Sequence, residues 1–124
     1  MDSEEYKTDT TDPLAESIRP HTDPDTFRPS VLKQTQGPGA PKGFVLGAEE
    51  LIMGRSSDAD IRIDASEISR KHLVFRKIGQ EYACTDLNSR NGVYLNGVKI
   101  HSAILKDGDL LQVGGAVFLY REGG

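Results

Sequence analysis

The sequence predicts an all-β sandwich or barrel, and three observations carry that prediction. From Gly43 onward, short apolar runs recur at regular spacing with turn residues between them. No stretch in this region shows a convincing helical period. Asn96-Gly97 stands between two short apolar runs, a strong signal for a type I′ hairpin.

The elements follow in order. Residues 44–46 and 51–53 read as strands, and 61–63 as a short one. Residues 71–78 form a longer run that ends at Gly79-Gln80. In the next run, 81–87, alternation puts Tyr82 and Cys84 on one face. Residues 93–95 and 98–100 flank the hairpin turn. Then come 103–105, a turn at 106–109, 110–113, the turn Gly114-Gly115, and 116–120. This is roughly ten short strands, the pattern of two packed antiparallel sheets. About 80 residues are enough for one core of modest size.

Composition changes at Gly43. All six prolines (Pro13, Pro20, Pro24, Pro29, Pro38, Pro41) and six of the seven threonines precede it. Only scattered large apolar residues (Leu14, Ile18, Phe27, Val31, Leu32) accompany them. Such a segment buries too little surface to offset its ordering entropy. Residues 1–42 are therefore expected to be a largely disordered, acidic Thr/Pro-rich tail, with room for a helical turn near 14–18. Residues 43–121 are expected to be the folded domain.

Charge and length exclude several classes. The formal net charge is −4, without the basic stripe of a nucleic-acid binder. The pairs Arg70-Lys71 and Arg76-Lys77 are read as a solvated sheet face. No run approaches the roughly 20 apolar residues of a membrane span. The acidic start lacks a signal-peptide pattern. A single cysteine, Cys84, builds no disulfide framework and suits a reducing cytoplasm. His21, His72 and His101 have no liganding neighbours at metal-site spacing, and no P-loop or carboxylate pair stands out. Neither cofactor nor metal is expected.

The chemistry lies in a series of short signatures. Gly54-Arg55 ends one strand, Ser69-Arg70-Lys71-His72 opens another, and Asn88-Ser89-Arg90-Asn91-Gly92 precedes the hairpin. Arg55 offers a planar fork suited to two phosphate oxygens, or an ion-pair partner for Asp58 or Asp60. Ser69 supplies a hydroxyl and a backbone N–H at the mouth of a strand, or serves as an ordinary loop serine. Asn91 can both donate and accept, which suits clamping an extended peptide, and it also tolerates tight turns. Ser69 and His72 have the look of a nucleophile and base, but no orienting residue or oxyanion hole accompanies them.

Gly54-Arg55, Ser69-x-x-His72, Asn91-Gly92 and Asn96-Gly97, in this order and spacing, resemble the forkhead-associated (FHA) domain family. Asp60-Ile61-Arg62-Ile63 and Asp86-Leu87-Asn88-Ser89 fit the same pattern, and the likeness covers about residues 43–121. The resemblance implies an eleven-stranded β-sandwich that binds phosphothreonine peptides through loops at one end and performs no catalysis. Carried over residue by residue, it makes Arg55 and Ser69 the phosphate ligands, with Arg70 beside them. Asn91 becomes the peptide clamp. His72 braces the loops from behind, while Gly54, Gly92, Asn96 and Gly97 serve the backbone. The family's usual threonine or serine before the asparagine is Arg90 here. That guanidinium either replaces the hydroxyl on the phosphate, points to solvent, or favours an acidic peptide.

The expected partners are a phosphothreonine-containing protein and a Ser/Thr protein kinase, with no nucleic acid and no membrane. Thr8, Thr10, Thr11, Thr22 and Thr26 lie among acidic residues and are candidate phosphorylation sites. Some bacterial members of the resembled family dock such a tail on their own domain. Between Thr22 and Gly43 the chain would reach roughly 25 Å by chain statistics. Two other readings remain: a phosphate-independent assembly domain, and the N-terminal input domain of a larger bacterial signalling protein.

Overall fold

The computed structural model describes residues 28–124. The expectations for residues 1–27 lie outside this range. The chain forms eleven strands: β1 (Ser30–Gln36), β2 (Lys42–Leu46), β3 (Glu50–Gly54), β4 (Ile61–Arg62), β5 (Leu73–Ile78), β6 (Glu81–Asp86), β7 (Val93–Leu95), β8 (Val98–Ile100), β9 (Ser102–Ile104), β10 (Leu110–Val113) and β11 (Ala116–Arg121). One sheet has the order β2-β1-β11-β10-β7-β8, the other β4-β3-β5-β6-β9. Pairing is antiparallel except between β3 and β4.

Alternation decides which side chains meet between the sheets. Leu32, Leu111, Val113, Phe118 and Tyr120 come from the first sheet, and Met53, Leu73, Phe75, Tyr82 and Cys84 from the second. Burying each larger side chain contributes about 1.5–3 kcal/mol. Two tyrosines reach polar partners from within this core. The Tyr82 hydroxyl shares its one hydrogen between the carbonyls of Leu46 (2.9 Å) and Ala48 (2.6 Å). The Tyr120 hydroxyl donates to Ser30 Oγ at 3.2 Å. Burial raises the pKa of both phenols.

The expected domain boundary is corrected at one point. β1 lies within the segment assigned to the tail, yet it sits between β2 and β11, with Leu32 fully buried. Every later strand matches an expected run to within about two residues. At the β7–β8 hairpin, Asn96 (φ 51°) and Gly97 (φ 84°) both adopt the left-handed conformation of a type I′ turn.

Strand direction sorts the connections into two groups. β3, β4 and β6 all run toward one end, so the segments 55–60, 63–72 and 87–92 gather there. The β10–β11 turn reaches the same end, where a Cβ at Gly114 would lie 2.7 Å from Glu67 Cγ. The β7–β8 turn and the β9–β10 connection lie at the opposite end. The chain also enters β1 there, where the Arg28 carbonyl accepts the Gly124 N–H at 2.9 Å.

Candidate functional site

The three gathered loops are tied together by backbone. Arg55 N–H donates to the Ser69 carbonyl (3.0 Å), and Ser56 N–H to the Arg70 carbonyl (3.1 Å). This approach needs Gly54: a Cβ there would overlap the Arg70 carbonyl. Arg55 is half-buried, and its Nε donates to the Ile68 carbonyl at 3.1 Å. One edge of the guanidinium is thus fixed, and its terminal nitrogens remain for an anion. The ion pair with Asp58 or Asp60 does not form. Asp60 instead accepts the Ile52 N–H at 2.8 Å, and Asp58 accepts the Ser56 hydroxyl. The Ser56 hydroxyl and the Asp58 backbone hold that carboxyl below its ordinary pKa, with the charges of Lys71 and Arg70 adding to the effect.

His72 is fully buried and bonds to backbone on both sides. Its Nδ1 accepts the Ser69 N–H at 3.0 Å, so the ring proton sits on Nε2 and is donated to the Gly92 carbonyl at 2.8 Å. The imidazole therefore joins the β4–β5 and β6–β7 loops from below. It does not contact Ser69 Oγ as a general base would. That hydroxyl accepts the Arg90 N–H at 3.1 Å and keeps its own hydrogen free to donate.

Asn91 closes the ring of contacts, its Nδ2 donating to the Glu67 carbonyl at 2.6 Å. Its Oδ1 faces no donor among the described residues. Gly92, at φ 81°, donates its N–H to Ser89 Oγ (2.9 Å), and Ser89 N–H donates to Asp86 (3.0 Å). The result is a shallow cavity of about 270 Å³ lined by Arg55, Ser66, Glu67, Ile68, Ser69, Arg70 and Arg90. Ser66, Glu67 and Ile68 were not singled out from sequence. Only their place just before Ser69 pointed to them.

Arg70 and Arg90 are exposed and form no ion pair among the described residues. With Arg55 they concentrate positive charge around the Ser69 hydroxyl, an arrangement suited to a dianion. Asn96 and Gly97 are not part of this end. Asn96 Nδ2 donates to Asp109 (3.0 Å), and its Oδ1 accepts the Leu110 N–H (2.9 Å) at the far end of the sandwich. A larger hollow of about 600 Å³ also lies there, but it mixes Arg28, Lys33 and Arg121 with Asp107 and Glu122. Among the described residues, no three His, Cys, Asp or Glu side chains gather as a metal would require. No helix among them is long and apolar enough to cross a membrane.

The fold and site define a β-sandwich with a cationic, loop-built cavity at one end. The model of the FHA domain matches residues 51–114, and the chain belongs to that family. An oxoglutarate dehydrogenase inhibitor of Corynebacterium jeikeium is 38% identical over 85 residues, covering 68% of this chain and 59% of that protein. The glycogen accumulation regulator GarA of Mycolicibacterium smegmatis is also 38% identical over 85 residues, 68% of this chain and 54% of the regulator. The chain thus spans between half and three fifths of these relatives. An FHA domain solved in a study of phosphothreonine-dependent FHA interactions has a TM-score of 0.69 at 31% identity, over 76% of this chain and 96% of that one.

Proposed function

We propose that the chain is a phosphothreonine-dependent protein-binding module and not an enzyme. The carrying observation is the joint placement of the Arg55 guanidinium edge, the free Ser69 hydroxyl hydrogen and the Arg70 and Arg90 side chains around one cavity. Arg55 supplies the main charge-assisted contact, worth about 1.5–3 kcal/mol. Asn91 accepts a peptide N–H through Oδ1 while its amide nitrogen holds the Glu67 carbonyl. Arg90 stands where the family has a hydroxyl and adds charge at the rim. The name of the oxoglutarate dehydrogenase inhibitor supports a partner among metabolic enzymes; a Ser/Thr protein kinase that phosphorylates the partner and a cytoplasmic location complete the proposal.

Calorimetry with one peptide in phosphothreonine, phosphoserine and unphosphorylated forms tests this reading. The expected order is phosphothreonine tightest, phosphoserine roughly fourfold weaker for one lost buried methyl, and no binding without phosphate. Equal binding of all three forms would favour the phosphate-independent assembly reading.

The tail is the second part of the proposal. A phosphorylated threonine of this chain docks on its own cavity, and reach sorts the five candidates. The described residues begin at Arg28, at the end opposite the cavity. The seven-residue β1 alone rises about 23 Å. Thr26 and Thr22 precede Arg28 by two and six residues, at most about 7 and 21 Å of taut chain. Thr8, Thr10 and Thr11 have about 60 Å or more. The earlier reach from Thr22, counted to Gly43, is corrected by β1. Docking within one molecule belongs to Thr8, Thr10 or Thr11. If phosphorylated chain carrying only Thr22 showed concentration-independent docking, this assignment would fail.

A further inference from the structure

Lys99 lies on β8 opposite Tyr94 of β7, beyond the residues that line the cavity. Its side chain crosses the backbone of Gly92. The position of a Cβ there is 2.9 Å from Lys99 Cε, 3.6 Å from Cδ and 3.7 Å from Nζ. The missing side chain at Gly92 therefore lets the ammonium reach the loop beside Asn91 and Arg90. Lys99 is exposed and meets no carboxylate among the described residues.

The two flanks of the cavity differ in this respect. On the β4–β5 side, Asp58 already lies within the field of Lys71 and Arg70. Glu67 is turned toward the Gly114-Gly115 turn, with its Oε2 2.9 Å from the Cβ position of Gly115. On the β6–β7 side Lys99 has no ion-pair partner among the described residues. A peptide clamped at Asn91 carries its neighbouring side chains past that ammonium.

We propose that Lys99 is a specificity residue that reads a carboxylate side chain flanking the phosphothreonine. The proposal rests on the phosphothreonine reading above and adds the chemistry of the partner: an acidic residue on the side of the peptide that passes Gly92. The Thr-Asp pairs at Thr8, Thr11 and Thr22 have this chemistry within the chain itself.

The test is a set of phosphothreonine peptides with alanine flanks and one aspartate moved through the positions on either side. Each is titrated into the wild-type chain, Lys99→Gln and Lys99→Arg. The wild-type should favour aspartate about two- to fivefold on one side only, as expected for an exposed ion pair. That gain should vanish in Lys99→Gln, return in Lys99→Arg and shrink with added salt. Binding of the all-alanine peptide is the control for the underlying reading; if it does not bind, that reading fails and takes this inference with it. If it binds but aspartate gives no one-sided gain, or the gain survives Lys99→Gln, the inference alone is overturned.

Discussion

The two ends of the sandwich use the same turn chemistry toward different results. At the far end, asparagine and aspartate are consumed by neighbouring turns: Asn96 bonds Asp109 and Leu110, and Asp109 also accepts the Lys106 N–H at 2.8 Å. Two of the cations there are paired, Lys106 by Glu81 at 2.9 Å and Arg121 by Asp107 at 3.8 Å, and Arg28 and Lys33 share their hollow with the carboxylates of Asp107 and Glu122. At the near end, Asn91, Ser69 and His72 also bond across loops, but Arg70, Arg90 and Lys99 have no ion-pair partner among the described residues. Internal hydrogen bonding rigidifies both ends. Three arginines around one cavity, with no carboxylate paired to them among the described residues, are what support the proposed binding role of the near end.

The comparison breaks most visibly at Arg55. Arg55→Ala should weaken phosphopeptide binding by tenfold to more than a hundredfold by calorimetry, while the melting temperature changes little. His72→Ala should destabilise the fold by about 2–4 kcal/mol in urea, because it opens a cavity and strands the buried loop groups it joins. It should also weaken binding, since Ser69 and Gly92 lose their brace. Asn96→Ala is the far-end counterpart. It should cost about 1–2 kcal/mol of stability, from two lost hydrogen bonds and a left-handed residue, and leave phosphopeptide affinity unchanged.

Smaller effects sharpen the contrast. Affinity should fall as pH drops through about 6, where the phosphate gains a proton, and an unphosphorylated control should show no such step. Cys84 is buried and its thiol is pushed up to about 11 by desolvation. It should resist iodoacetamide at pH 8 in the native state and react after unfolding. Its raised pKa makes a stability contribution that is present below pH 9 and is lost as pH rises toward 11.

The sequence showed the strands from β2 onward because their apolar runs are short, regular and punctuated by turns. It hid β1 for a physical reason. Ser-Val-Leu-Lys-Gln-Thr-Gln lies between Pro29 and Gly37-Pro38-Gly39, and two of its three inward positions, Ser30 and Gln34, are polar. Gln34 is buried because its amide donates to the carbonyls of Gln36 (3.2 Å) and Pro38 (2.8 Å), a contact that composition does not reveal. Arg55, Ser69, Asn91 and His72 were legible because motif spacing points to loops. Asn96-Gly97 was legible as a turn but not as belonging to the far end, which depends on β7 running away from the site. Lys99 was overlooked although the two-residue turn already sets its register opposite Tyr94.

Amide chemical shifts measured while a phosphothreonine peptide is titrated into labelled protein test the central claim most directly. The amides of Arg55, Ser69, Arg70, Arg90 and Asn91 should move, and those of Asn96, Gly97 and Asp109 should stay. Movement confined to the far end, or the same movement with unphosphorylated peptide, would contradict the assignment of the cavity as a phosphothreonine site.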